Sequence, residues 1–281
     1  MKASVHRRIC LAAFLVVLGL PVTYGQGQRA TPSPPLTHGD KEEFLSRARI
    51  VIEASLPENP GTSWRTTLDD GNQKHPATVD TSTSEDRSQR DYRSNVAAYE
   101  LDKMLTLGLV VPSVERVVNG QPASVTWWLD DFLMSEQDRH IKKTEPPDAE
   151  RWSKQTQAVR VFDELIANAY RPMSPASYTS KLWDNLLITR EWQIGLIDHT
   201  RAFGITPQLQ HPESLTQCDR TVLAKLRTLN QGDMARQLGR YLTSGQLDAL
   251  EARRALIVTR FERQIAANGE RAVLYDLPPR R

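Results

Sequence analysis

The chain has 281 residues, 39% hydrophobic and 25% charged, enough to bury a core in one two-lobed domain or two small ones. Its formal net charge of +2 supplies no field for nucleic acid or for an anionic membrane surface. Its two cysteines, Cys10 and Cys218, exclude a disulfide-rich scaffold.

Residues 1–25 read as a secretory signal peptide. Lys2, Arg7 and Arg8 form a basic start, and Ile9–Val22 is an apolar run broken by Gly19 and Pro21. Small or polar residues at Thr23–Gly27 admit cleavage. The run is short for a membrane span, and an uncleaved anchor is the alternative. Removing the three cations of residues 1–25 takes the formal charge from +2 to −1. Cys218 is then the only mature cysteine, so no intramolecular disulfide is expected. The expected location is secreted or periplasmic, with no membrane span in the mature chain. Residues 26–39 are rich in Pro, Thr, Ser and Gly and read as a flexible leader. The folded domain is expected over 40–270, with an N-lobe over 40–130, a C-lobe over 131–270, and a tail from 271 to 281.

Asp40–Ser55 carries Phe44, Ala48 and Ile52 at helical spacing, which predicts an amphipathic helix started by Asp40. Ser63–Leu68 and Lys74–Thr81 predict two strands joined by the turn Asp69-Asp70-Gly71-Asn72. Ser82–Arg93 is polar and reads as a loop. Ser94–Gly108 predicts a helix with Ala97, Leu101 and Met104 on its buried stripe. Glu100 borders that stripe, where a carboxylate is costly unless paired. Val114–Val118, Asn119-Gly120 and Ser124–Leu129 predict a second hairpin, leading into Trp127-Trp128, two rings able to stack on a base or to pack in a core.

Asp130–Glu150 is polar and reads as a crossing between lobes. Arg151–Asn168 predicts a long helix, stopped by Pro172 and Pro175. Asn185–Thr189 and Trp192–Ile197 predict a hairpin turning at Arg190-Glu191, with Thr189 facing Trp192 and Asn185 facing Leu196. That pairing sets the Asn185 amide and the Asp198 carboxylate at the hairpin's open end, where a divalent cation and phosphates can be held. Asp219–Leu229 predicts a helix capped by Asp219, and Thr243–Gln246 is a capping box opening a helix that ends near Gly269. There is no Walker-type loop and no G-x-S-x-G elbow. The histidines lack metal-site spacing.

Asn168-Ala169-Tyr170-Arg171, Asn185-Leu186-Leu187-Ile188 and Ile197-Asp198-His199-Thr200-Arg201-Ala202-Phe203 together resemble one distant branch of the protein-kinase fold. That branch includes HipA-type, phosphoinositide and secreted Golgi-type kinases. The resemblance implies an α+β, two-lobed protein-kinase-like fold with a sheet-rich N-lobe and a mainly helical C-lobe. It implies ATP with Mg or Mn as cofactors, the metal on Asp198 and Asn185. It implies an N-terminal hairpin covering the nucleotide, a phosphate-binding lysine on that hairpin's second strand, and a glutamate from the following helix paired with it. Asp80 stands where that lysine is expected; Lys74 is the hairpin's only lysine, and Glu100 matches the glutamate. Trp127 lies at the implied base-binding connection. Tyr170 stands where the catalytic aspartate is expected, and the loop to Asn185 is longer than in the family. Asp184 and Asp163 are the carboxylates that would have to replace the missing base; His199 is a candidate phosphate contact.

Two classes of function stay open. One is an exported ATP-dependent kinase acting on a protein or small-molecule hydroxyl. The other, favoured because two catalytic positions depart together, is an inactive or weakly active kinase-like protein binding a nucleotide or a protein partner. An exported scaffold without ligand is the third reading. No nucleic-acid partner is expected.

Overall fold

The structure, a computed structural model, describes residues 36–55, 62–84, 90–168, 171 and 185–278. The residues expected to form a signal and most of those expected to form a leader, together with Tyr170 and Asp184, lie outside them.

Helix α1 (His38–Arg47) starts at a capping box in which the Thr37 hydroxyl accepts from the Asp40 amide and Asp40 accepts from the Thr37 amide. This differs from the helix expected over Asp40–Ser55. The chain turns extended at Ala48 and continues as strand β1 (Arg49–Ser55). The change of period falls where the β-branched run Ile50-Val51-Ile52 begins, and such residues favour a pleated surface. β2 (Ser63–Asp69) and β3 (Lys74–Asp80) follow, then helix α2 (Arg93–Leu105), β4 (Ser113–Val118) and β5 (Gln121–Trp127). The five strands form one sheet of order β1-β2-β3-β5-β4, antiparallel at every junction. The Asp69–Asn72 turn therefore joins the second and third strands of the sheet.

The expected crossing segment carries structure of its own, β6 (Phe132–Ser135) and α3 (Glu136–Ile141). Helix α4 (Ala149–Leu165) is followed by β7 (Leu186–Thr189) and β8 (Ile194–Leu196), which form a three-stranded sheet with β6. The hairpin is present, one residue out of the expected register: Leu186 pairs with Leu196, and the Thr189 amide donates to Gln193 O at 3.0 Å. The turn thus has three central residues, closed by Trp192 at φ 58°, rather than Arg190-Glu191 alone. Helices α5 (Arg220–Thr228), α6 (Gln231–Leu238), α7 (Ser244–Asn268) and α8 (Glu270–Val273) complete the chain. A short parallel pair joins β9 (Cys218–Asp219) to β10 (Leu274–Tyr275). The caps read from sequence hold: Asp219 accepts from the Val222 amide, and Thr243 forms its box with Gln246.

The result is the α+β, two-lobed arrangement implied by the kinase resemblance, but its apolar cores do not divide between the lobes. The smaller core packs Phe44, Leu45, Leu68, Val79, Val125 and Trp127 beneath the sheet. The larger takes Val96, Ala97, Leu101 and Leu105 of α2 together with Phe162, Ile188, Phe203, Leu226, Leu250 and Phe261. Helix α2 lies between β3 and β4 of the sheet in sequence, yet its apolar face belongs to the larger core with the helical lobe. Asp102, buried at the end of α2, accepts from the amides of Leu109 and Val110 at 2.9 and 3.2 Å. That bend lays residues 109–111 against β8, with the Leu196 amide donating to Leu109 O at 2.8 Å. No described helix is long and apolar enough to cross a membrane.

Candidate functional site

A cavity of about 390 Å³ lies between the five-stranded sheet and the β7–β8 hairpin. Its hairpin wall carries Asn185 and Asp198. The Ile197 amide donates to Asn185 O at 3.1 Å, so Asn185 stands opposite Ile197 and Asp198 is the next residue along. Asp198 adopts the left-handed conformation, φ 50°, which Asp tolerates better than most residues. Its Oδ1 accepts from the Thr200 hydroxyl at 2.6 Å.

Behind this wall lies a buried polar cluster. Arg171 donates through Nε to Asp163 Oδ2 at 2.9 Å and through Nη1 to Asn185 O at 2.6 Å. Asn168 donates to Asp163 Oδ1 at 3.0 Å. Burial pushes the Asp163 carboxyl up, opposed by Arg171 and Asn168. Asp163 is thus committed to Arg171, not available as a base. Arg171 Nη2 lies 3.3 Å from His199 Nε2. A guanidinium only donates, so Nε2 accepts and the ring is neutral. Burial, then the charge of Arg171, holds the His199 pKa well below the usual histidine value. His199 faces this cluster, packed edge-on to Phe162 at 6.2 Å.

The sheet wall is built by the alternation of β3, which turns Thr78 and Asp80 into the cavity. Asp80 has four donors. Oδ1 accepts from the Ser82 amide at 2.8 Å and from the Ser82 hydroxyl. Oδ2 accepts from the Ser63 hydroxyl and from Arg90 Nη2 at 2.7 Å. Arg90 reaches across the cavity, its Nη1 donating to Asp198 Oδ2 at 3.3 Å. Burial works against its charge, but the carboxylates of Asp198 and Asp80 outweigh that and raise its pKa. Asn95 of α2 joins both walls, accepting from the His199 amide at 2.7 Å and donating to Ser124 Oγ at 3.0 Å.

The other sequence candidates lie elsewhere. Glu100 accepts from Lys103 at 2.8 Å and from Gln237 of α6 at 2.6 Å, which pins α2 to the helical lobe. Lys74 sits at the far end of β3 from Asp80, exposed, 3.6 Å from Asp69. Trp127 is buried in the smaller core, stacked on His75 at 3.5 Å between ring centres and donating from Nε1 to Asp130 at 3.1 Å. It is Trp128 that lines the cavity, with the Arg65 guanidinium 4.1 Å over its ring. The structure thus brings together Asn185, Asp198, Asp80 and Trp128 of the residues singled out from sequence. It adds Arg90, Asn95 and Arg65. Arg90 lay in a stretch read only as polar loop, and no spacing in the sequence ties it to Asp80 or Asp198.

Among the described residues no group of three or more His, Cys, Asp or Glu side chains converges as a metal cage. One carboxylate and one amide suit magnesium, which takes one or two carboxylates and fills its shell with water and ligand phosphates. No family model matches the sequence and no curated protein matches it. Among solved structures the chain is similar to the Helicobacter pylori proinflammatory kinase CtkA. The two are 10% identical, the match covers 77% of this chain and 96% of that one, and the TM-score is 0.47.

Proposed function

We propose that this kinase-like protein is exported and binds a nucleotide with a divalent cation in the cleft between its lobes, and that phosphotransfer by it is absent or very slow. The observation that carries the binding reading is the meeting of Asn185 and Asp198 in one cavity with the cationic Arg90. The cation would sit on Asp198 and Asn185, with Mg or Mn as its identity and ATP as the nucleotide; bound there, it would neutralise phosphate charge.

The reading of weak chemistry rests on the base. Tyr170 occupies the position where the resemblance implies a carboxylate, and its ordinary pKa of ~10 makes it a poor acceptor of a hydroxyl proton. Asp163 is held by Arg171. General-base assistance is worth about 10²–10⁴-fold. Export is supported by the basic start and apolar run of residues 1–25. The mature chain should begin near residues 25–30, which mass spectrometry of the exported protein would read; an intact Met1 on membrane-bound material would establish an anchor instead.

Thermal unfolding with Mg-ATP tests the cleft. At ~100 times the dissociation constant a ligand selective for the folded state adds about 2.7 kcal/mol. Asp198→Ala should abolish that gain and Tyr170→Phe should leave it. No gain in the unmodified protein would overturn the nucleotide reading. Labelled ATP with casein should show no transfer; transfer lost in Asp184→Ala would establish an active kinase with Asp184 as its base.

A further inference from the structure

We propose that Arg90 is the residue that grips the phosphate chain of the cleft's ligand, and that Asp80 is its mount. This rests on the nucleotide reading above and names the group that recognises the ligand's charge. The four donors on Asp80 fill the roughly four lone-pair sites a carboxylate offers: the amide and hydroxyl of Ser82, the hydroxyl of Ser63, and Arg90 Nη2. Asp80 has no site left for a cation, so its place on the cavity wall fixes the guanidinium rather than a metal.

The other face of Arg90 is held differently. Nη1 meets Asp198 Oδ2 at 3.3 Å, longer than the roughly 2.7–2.9 Å of a strong charge-assisted bond. That contact is the exchangeable one. A divalent cation on Asp198 takes the carboxylate and repels the guanidinium. Nη1 then has a donor to give, anchored at Nη2 and directed at whatever anion shares the cation. A ligand with adjacent anionic oxygens, one on the cation and one on Arg90, satisfies both, which is the chemistry of a di- or triphosphate. Arg90 enters from the segment before α2, so no lysine on β3 is needed. Thr78 and Val79, which precede Asp80 on β3 and line the same wall, carry no charge.

Titration calorimetry on the full folded chain tests this with three probes: Mg-ATP, Mg-tripolyphosphate and adenosine. Arg90→Gln alone would leave Asp80 buried without its cation, so the decisive variant is Arg90→Gln with Asp80→Asn, which removes both charges; a thermal melt shows that it folds. Affinity for Mg-ATP and for Mg-tripolyphosphate should fall roughly 10- to 100-fold, the value of one hydrogen bond to a charged group. Adenosine affinity should not change, a split that a merely structural role for the pair would not produce. Arg90→Lys should restore part of the lost phosphate affinity. If the wild-type protein binds Mg-ATP and the double variant binds it as tightly or more tightly, Arg90 is a plug on Asp198 and the proposal is wrong while the nucleotide reading stands. If the wild-type protein binds neither phosphate probe, both are wrong.

Discussion

The two walls of the cleft are built on opposite principles. The hairpin wall is backed by charges out of water: Asp163 and Arg171 are 3% and 2% exposed, paired with each other and with Asn168, Asn185 and His199. The sheet wall is less deeply buried: Asp80 is 9% exposed, and Arg90, 17% exposed, lines the cavity and reaches the opposite side. A buried pair fixes geometry and tolerates no loss of a partner. A pair at a cavity surface can exchange one contact for a ligand. The rigid wall therefore presents Asn185 and Asp198, and the adaptable wall presents the cation.

The largest test of that contrast is on the rigid side. Arg171→Ala strands Asp163 and leaves the Asn185 carbonyl without its guanidinium donor, so urea unfolding should show a loss of about 3–5 kcal/mol. Arg90→Ala, at the adaptable wall, should cost clearly less. Equal losses would erase the distinction between the walls. Where the hairpin wall meets the interlobe connection, the close approach of Gly195 gives a smaller effect: an added Cβ would lie 2.9 Å from Leu129 Cδ1. That contact is the end of a flexible side chain, so Gly195→Ala should cost about 1 kcal/mol, the low end for overpacking.

The hairpin wall was legible in the sequence because its information is local. Two apolar runs, a short turn and an Asp beyond them fix Asn185 and Asp198 within fourteen positions of each other; only the register slipped, since a turn with Trp192 in the left-handed region has no glycine to announce it. The sheet wall was not legible. Ser63, Asp80, Arg90 and Asp198 converge from four separate segments, and nothing in the residues 82–93 marks Arg90 as more than a solvated charge. Glu100 misled for a related reason. Its place on α2 was right for a paired carboxylate, but the partners are Lys103 on its own helix and Gln237 on α6, because α2 packs with the helical lobe. Trp127 and Trp128 face opposite sides of an extended chain, and the pattern did not say which side held the core.

The left-handed backbone at Asp198 gives a finer probe of the hairpin wall. Asp198→Ala and Asp198→Gly remove the same carboxylate and the same contacts with Thr200 and Arg90. They differ in whether the residue at φ 50° carries a Cβ. Asp198→Gly should therefore unfold about 1 kcal/mol harder than Asp198→Ala, while neither gains stability from Mg-ATP. Equal stabilities would mean that the segment relaxes out of the left-handed region once the carboxylate is gone.

The smallest effect belongs at the outer edge of the sheet lobe, where charge is paired in view of solvent. Asp130 accepts from Lys41 at 2.5 Å, from His75 at 2.9 Å and from Trp127 Nε1 at 3.1 Å. Burial pushes its carboxyl up, but the hydrogen bonds and charges of His75 and Lys41 outweigh that and hold it down to about 2. The folded value lies below the unfolded one of ~3.9, so the unfolded chain binds the proton first as pH falls. The contribution is fully present above the unfolded value and is lost as pH drops toward 2. Asp130→Asn should flatten that part of the stability curve between about pH 4 and pH 2. With its side chain 46% exposed, Asp130 is screened by water, and the change should be small beside that of Arg171→Ala. A change of similar size would mean that this exposed cluster, and not the buried one behind the hairpin, fixes the relation of the walls.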